Sequence, residues 1–469
     1  MAPQPASCPS GHALLGHLPA FMKDPLGFLT HCARHYGLVV PLRFLHRRAF
    51  LLLDAADIEC VLVTEPHRFA KPLWLRTPAV QRLLGDGLVS SDGETWHCRR
   101  QISRPAFHSL CMEGYGAKIS VLAERMLEGW QEGQVRELQR EMTHLTLEVV
   151  ARTLFDVDMP GWVEDAGAAI DTLMARFTAR GSLFGMLPLP PTPAEIRAAR
   201  QLDRIMERLI QWHDAAKGPG SRDAPKGGES LISLMERAAE QGEACMSGRS
   251  LQDQLKTLLA AGYESSALVL CWAFLLLARH PEAEARLAAE LETVLGGRPP
   301  LPADLPRLPY CRAVVQETLR LYPPLWMTGR EAISPCEIGG FRVPAGALVM
   351  TSQWAVQRHP RYFPQPDAFR PERWEGAETT DLPRFAYFPF GGGPRVCIGQ
   401  KFAQMEAVLL LAAIARRFRL EPDTEQEISP WVTMTLRPPA GVRVRLKGRV
   451  PPPPAPPPCM GEGSFYTQV

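Results

Sequence analysis

The 469-residue chain is expected to fold as a mainly α protein with a minor β-sheet region, an α+β class, and three observations carry that expectation. The first is where proline sits. The chain has 45 prolines, yet Pro160 alone lies between Ala106 and Leu187, and none lies between Lys226 and His280. Proline breaks helix interiors, so these gaps can hold long helices. The second is periodicity. LAERMLEGW (122–130), LTLEVVARTLF (145–155) and LKTLLAAGYESSALVLCWAFLLLARH (255–280) carry apolar residues at helical spacing. The third is a set of short strand patterns near both ends: GLVVPLRFL (37–45), AFLLLDA (49–55) and GVRVRLKGR (441–449). In the last, Val442, Val444 and Leu446 alternate with Arg443, Arg445 and Lys447, the period of a half-buried strand.

Proline also divides the chain. Pro281 to Gly448 holds 21 prolines, so helices there are expected to be shorter, with many turns between them. LPLPPTP (187–193) reads as a proline-rich loop between two helical segments. AAKGPGSRDAPKGGES (215–230) reads as a polar loop. The segment PPPPAPPPCMGEGSFYTQV after Arg449 begins with seven prolines in eight residues, and reads as extended polyproline followed by a loose end. The expected organisation is one domain over 1–449 and a disordered tail over 450–469.

Composition excludes several classes. There are 52 Lys+Arg against 50 Asp+Glu, so there is no general electrostatic footprint for nucleic acid. Eleven cysteines are too sparse for a small disulfide scaffold, and no zinc spacing occurs among them. Most thiols are expected to be reduced, in a cytoplasmic compartment. The longest apolar run, Ala267 to Ala278, is short for a membrane span of ~20 residues and reads as a buried helix rather than an anchor.

The chemistry concentrates in FPFGGGPRVCIGQKFAQMEAVLLLAAIARRF (388–418). Gly391, Gly392 and Gly393 precede Arg395 and Cys397; Gly399 and an apolar helix follow. Glycines let backbone take positive φ and approach a flat ligand. A cysteine before a helix N-terminus has its thiolate stabilised by backbone N–H groups and the macrodipole, and Arg395 adds a cation. Together these describe a thiolate poised to ligate a soft metal. The spacing Phe390-Gly-Gly-Gly-Pro-Arg395-Val-Cys397-Ile-Gly399 resembles the cytochrome P450 haem-thiolate monooxygenases. The resemblance implies the cytochrome P450 fold, with haem b buried between a long central helix and the cysteine loop. It implies Cys397 as the axial ligand of haem iron. Phe390, Gly391 and Gly399 would shape the haem loop, and Arg395 would pair with a propionate.

Three further segments extend the resemblance. Glu317 and Arg320 share a helix face at i, i+3, and Arg373 lies downstream in PERW (371–374). The family has this Glu–Arg–Arg set as a structural clamp. Trp96 and Arg100, at i, i+4, are both pure donors suited to anionic propionates, and Arg330 fits a further donor. Within Ala261-Gly262-Tyr263-Glu264-Ser265-Ser266, Gly262 would admit a ligand, and Glu264 and Ser265 would manage protons. Serine stands where the family usually has threonine. It keeps the hydroxyl but loses the methyl that restricts its rotamer.

The resemblance implies reductive O2 activation and oxygen insertion into a C–H bond or alkene of a hydrophobic small molecule, of terpene, polyketide or fatty-acid-like type. Alternatives are an isomerase or dehydratase of the same cofactor class that needs no O2, and a non-catalytic haem sensor. Electrons would come from a ferredoxin and its reductase, docking near Arg99, Arg104 and Lys401, and the protein would be a monomer. By family position the pocket would draw on Leu73, Trp74, Phe177, Leu325, Trp326, Met327, Trp431 and Met434, apolar side chains suited to such a substrate.

Overall fold

The computed structural model describes residues 8–77, 80–81, 85–158, 161–175, 190–217, 230–246, 249–423 and 428–449. The tail from 450, Phe177, residues 187–189 of the loop proposed over 187–193 and residues 218–229 of the loop proposed over 215–230 fall outside the described residues; Pro193 and residues 215–217 belong to helix Pro193–Lys217.

The fold is mainly helical with small sheets, as the proline pattern predicts. Its axis is a 30-residue helix, Ser250–Arg279, bounded where Pro281 begins the next helix. From Leu268 to Leu277 every residue is buried, so this helix is apolar on all faces because protein surrounds it. By length and composition it passes for a membrane span, and 78% of its most apolar window is buried inside the fold. It packs against Leu138–Val150 on one side and against Gln400–Arg417, the helix after Cys397, on the other. Gly262 marks the first crossing. A Cβ there would sit 3.1 Å from Val150 Cγ2. Its small size therefore serves the packing of these two helices.

The sheets are small and separate. β1 (Val39–Phe44) lies within the predicted segment 37–45 and β2 (Arg47–Leu52) overlaps the predicted segment 49–55, starting two residues earlier; the two form an antiparallel pair. They join β3 (Phe69–Ala70), β5 (Thr328–Ala332) and β8 (Leu348–Thr351) in the order β1-β2-β8-β5-β3, with β2 and β8 parallel. A second sheet pairs β12 (Arg443–Gly448) with β4 (Val135–Glu137) and β9 (Phe418–Pro422). Val444 and Leu446 are buried and Arg443, Arg445 and Lys447 exposed, as their alternation predicts. Hairpins β6–β7 (Cys336–Ile338, Phe341–Val343) and β10–β11 (Trp431–Val432, Leu436–Arg437) complete the strands among the described residues.

Two apolar clusters result, one around the long helix and one between the five-stranded sheet and the N-terminal helices. Tyr322 and Tyr387 pack against both. Tyr322 stacks on Trp272 of the long helix with ring centroids 4.0 Å apart.

Candidate active site

The cysteine loop is shaped by backbone before any ligand enters. Gly391 and Gly393 have φ of 70° and 66°, a region that L side chains rarely adopt. At Gly393 a Cβ would collide with the Leu62 carbonyl. Gly399, with φ of −89°, has ordinary backbone and caps helix Gln400–Arg417. The Cys397 N–H donates to the Phe390 carbonyl at 2.9 Å, closing the loop. Cys397 keeps an exposed surface although protein atoms crowd around it. Burial pushes its thiol up, while the Gly399 N–H and the Arg100 charge pull toward thiolate.

Beside this loop the structure gathers cations. Helix Gly93–Ser103 begins at Asp92, whose carboxylate accepts from the Gly93 N–H at 2.9 Å and the Lys71 N–H at 2.7 Å. The same carboxylate pairs with Arg395. Trp96, buried, is ringed by Arg395 at 4.8 Å, Arg100 at 5.4 Å and Lys71 at 5.8 Å from its centroid. Arg100 donates to the Val396 carbonyl at 2.9 Å, tying the helix to the cysteine loop. Arg330, on β5, donates to the adjacent Gly329 carbonyl. Burial, then the Arg395 charge, hold Lys71 down to about 7; Asp92 opposes this, and Arg330 and Arg100 add to it. Arg330 is likewise lowered to about 10, by burial and then Arg395.

These groups fit haem. Lys71, Arg100, Arg330 and Arg395 crowd together with Asp92 as the carboxylate among them, and Arg395 Nη1 is buried without a partner. Buried charge needs pairing. Two propionates would supply two anions to a cluster that carries too few.

Behind the loop lies the clamp. Glu317 receives Arg320 Nε and Nη2, each at 2.8 Å, and Arg373 Nε at 3.0 Å. The Arg370 N–H and the Trp374 indole N–H, both at 2.9 Å, complete its shell. Glu317, Arg320 and Arg373 have fully buried side chains. Burial alone would raise the Glu317 carboxyl; the hydrogen bond and charge of Arg320, with Arg373, outweigh it and hold the group below the usual range. Gln357 links the clamp to the loop: its Nε2 donates to the Leu319 and Arg320 carbonyls, and its Oε1 accepts from the Phe388 N–H at 3.0 Å.

On the long helix, Glu264 and Ser265 point apart, as neighbours at i, i+1 must. Ser265 Oγ donates to the Ala261 carbonyl at 2.8 Å, beside exposed Ala261. Glu264 is buried and accepts from Thr435 and Arg437 of the β10–β11 hairpin. Ser266 turns inward and donates to Glu406 at 2.5 Å.

Lys71, Asp92, Glu406, Thr435 and Arg437 were not picked out by sequence reasoning. Lys71 and Asp92 lie near the tryptophan segment but belong to no recurrent spacing. Thr435 and Arg437 stand more than 170 residues from Glu264. Arg99 is a correction: it is buried, donating to the Cys245 carbonyl and paired with Asp86, so it cannot dock a partner. Arg104 and Lys401 are exposed. Trp326 is another: it is buried in the sheet-side core, donating to the Thr433 carbonyl at 2.9 Å. Leu73, Leu325 and Trp431 are exposed. Eight described cysteines are free, while Cys98 and Cys245 form a disulfide.

A family model described as Cytochrome P450 matches residues 6–445. The chain is 35% identical to Cyclooctatin synthase of Streptomyces melanosporofaciens, over 91% of this chain and 92% of that protein. It is 35% identical to Cyclooctat-9-en-7-ol 5-monooxygenase of the same organism, over 89% of each. It is 30% identical to Pentalenene oxygenase of Streptomyces avermitilis, over 95% of this chain and 98% of that protein. Likeness over this extent, two of these relatives being named as oxygenases, is not a matter of one shared loop: the protein belongs to the cytochrome P450 family and is a haem-thiolate monooxygenase.

Proposed function

We propose that the chain binds haem through Cys397 and oxygenates a terpene-type hydrocarbon or alcohol, receiving electrons from a ferredoxin and its reductase as a cytoplasmic monomer. The observation that carries the site assignment is the surplus of buried positive charge around Trp96, joined to the Cys397 loop by Arg100 and Arg395. Haem held by a cysteine thiolate supplies reductive activation of O2 and insertion of one oxygen atom into a C–H or C=C bond.

The chain's own residues do the rest. Lys71, Arg100, Arg330 and Arg395 seat the propionates, and Trp96 packs among them. The Glu317–Arg320–Arg373 clamp fixes the loop through Gln357. Ser265, through its hydroxyl, and Glu264, through its carboxylate, manage proton delivery. Exposed Arg104 and Lys401 offer positive charge to an acidic electron donor.

Two relatives are named for acting on cyclooctat-9-en-7-ol and pentalenene, an alkenol and an alkene, which supports the terpene class over the polyketide and fatty-acid-like classes. Leu73, Leu325, Trp431 and Met434 supply apolar contact area suited to such a molecule. The test is a titration of the purified holoprotein with cyclic terpene alkenes and alkenols, polyketide lactones and long-chain fatty acids, reading the haem spin-state shift. A saturable shift with the terpenes, followed by O2-dependent product formation with a ferredoxin system, is expected. A shift confined to the other two classes overturns the substrate assignment.

A further inference from the structure

Helix Gly93–Ser103 has two working faces. Trp96 and Arg100 lie toward Arg395 and the cysteine loop. Cys98 stands between them in sequence, two positions and about 200° around the helix from each, so it looks the other way. There it is disulfide-bonded to Cys245, in the turn Ala244–Met246 that precedes the long helix. Helix Leu231–Glu240, just before that turn, packs against the same helix. The segment that carries two of the haem-seating side chains is therefore tied from behind by a covalent link across 147 positions of sequence.

The ties around this link do not respond to redox state. Arg99 Nε donates to the Cys245 carbonyl at 3.3 Å, and its guanidinium pairs with Asp86 at 3.2 Å. Gln254 of the long helix donates to Ser103 Oγ at 3.3 Å and accepts from the Leu88 N–H at 2.9 Å. These bonds keep the two segments adjacent with the disulfide open, so reclosure is an intramolecular step between thiols already brought together. Access is one-sided. Cys245 is 8% exposed and Cys98 is half-buried, so an incoming thiol meets the Cys98 sulfur. The Glu243 carboxylate lies 3.7 Å from that sulfur. Its charge opposes an approaching thiolate and slows exchange without blocking it.

We propose that Cys98 and Cys245 form a reversible thiol–disulfide switch that sets how firmly the haem-seating helix is held, and with it how readily haem is lost. Opening consumes a dithiol. One of its thiolates attacks the Cys98 sulfur, and the Cys245 sulfur leaves and takes a proton. The second thiolate then attacks the mixed disulfide, releasing the Cys98 thiol and a cyclic disulfide. In closing, the two cysteines give two electrons and two protons to a small-molecule disulfide, which departs as two thiols. The inference rests on the haem role given to Trp96 and Arg100 above.

The test uses the purified holoprotein, equilibrated at several ratios of glutathione to glutathione disulfide and then freed of both. Free thiols are blocked in denaturant, disulfides are reduced, and the thiols so released take a second label, located by peptide mapping. Cys98 and Cys245 should take the second label together after oxidising buffers and the first label after reducing ones. Each native sample is also mixed with excess apomyoglobin, and haem transfer is followed in the Soret region. The open form should lose haem about tenfold faster than the closed form, as a segment released to local opening would. Cys98→Ser should transfer haem at the open-form rate after every buffer. Glu243→Gln should show the same two rates of haem loss but pass between them faster, which a purely structural link would not do. The comparison of the two wild-type states needs no variant, so it decides even where Cys98→Ser does not retain haem. Labels that never exchange in the native protein overturn the switch. Labels that exchange while haem transfer keeps a single rate overturn its hold on haem. A failure of the haem assignment itself is distinct: it shows as no Soret band at any ratio.

Discussion

At the scale of single residues, the site turns on how each side chain is oriented rather than on which side chains are present. Ser265 donates back to the Ala261 carbonyl, the local bond that serine makes readily inside helices. That bond holds the hydroxyl against the helix backbone but leaves χ1 free of the methyl that threonine would bring. Ser265→Thr should therefore raise the fraction of reducing equivalents that end in product. Ser265→Ala should lower product formation by roughly 10²-fold, the low end of what positioned proton transfer contributes. Both are read as product and peroxide formed per reduced nicotinamide consumed, at matched haem content. Cys397 gives a sharper expectation. Its environment pulls in two directions, burial toward the thiol and the Gly399 N–H and Arg100 toward the thiolate. Replacing Cys397 by His should keep the loop closed, since its N–H bond to Phe390 is backbone, while abolishing the long-wavelength Soret band of the reduced, CO-treated protein.

At the scale of elements, the clamp shows what local sequence reveals and what it hides. Glu317 and Arg320 were readable because i, i+3 geometry sets them on one face whatever the rest of the fold does. Arg373 was readable through a family spacing. Gln357 and Trp374 were not, because nothing local marks a glutamine that bridges two carbonyls and an N–H from separate segments. The same distance effect hid the Cys98–Cys245 disulfide, whose ends are separated by 147 positions in sequence, and the hairpin partners of Glu264. Gly262 was legible as unusual but not as to purpose, since helix crossings and ligand approach ask the same thing of a glycine. The clamp carries a definite energetic expectation. Glu317→Gln leaves the buried Arg320 guanidinium with no counter-charge and Arg373 with only the Glu378 carboxylate at 3.5 Å, and breaking such a pair costs about 3–5 kcal/mol. Denaturant unfolding should show that loss, with a parallel fall in haem retention, because Gln357 passes any shift of Arg320 to the Phe388 end of the cysteine loop.

At the scale of the whole molecule, stability should depend on pH through a group far from the clamp. Glu406 is fully buried on the helix that follows Cys397, inside the larger apolar cluster. Ser266 donates to its Oε2, and its Oε1 has no partner, an arrangement that suits a neutral carboxyl better than a charge. Burial, only partly offset by the Ser266 bond, pushes it up to about 8. In the unfolded chain a glutamate ionises near ~4.3. Between those limits the folded protein holds a proton that the unfolded chain has released, so stability falls as pH rises through that window. The contribution is whole below the unfolded value and gone above about 8. The slope approaches about 1.4 kcal/mol per pH unit where the two states differ by one full proton. Lys71 acts in the opposite sense, but only above its own lowered value of about 7, and the lowered carboxyls of Asp92 and Glu317 act below the usual carboxylate range. The interval from pH 5 to 7 keeps clear of these groups; His359, lowered chiefly by burial, overlaps it in the opposite sense, so the difference between wild type and variant is what reports Glu406. Denaturant unfolding of wild type and Glu406→Gln across that interval should give a curve that declines for the wild type and a flatter one for the variant. The variant should be the more stable of the two at pH 8, because the amide keeps the Ser266 contact without a charge to bury. Parallel curves would mean that Glu406 is ionised in the folded protein, with a counter-charge that the geometry of the long helix does not provide.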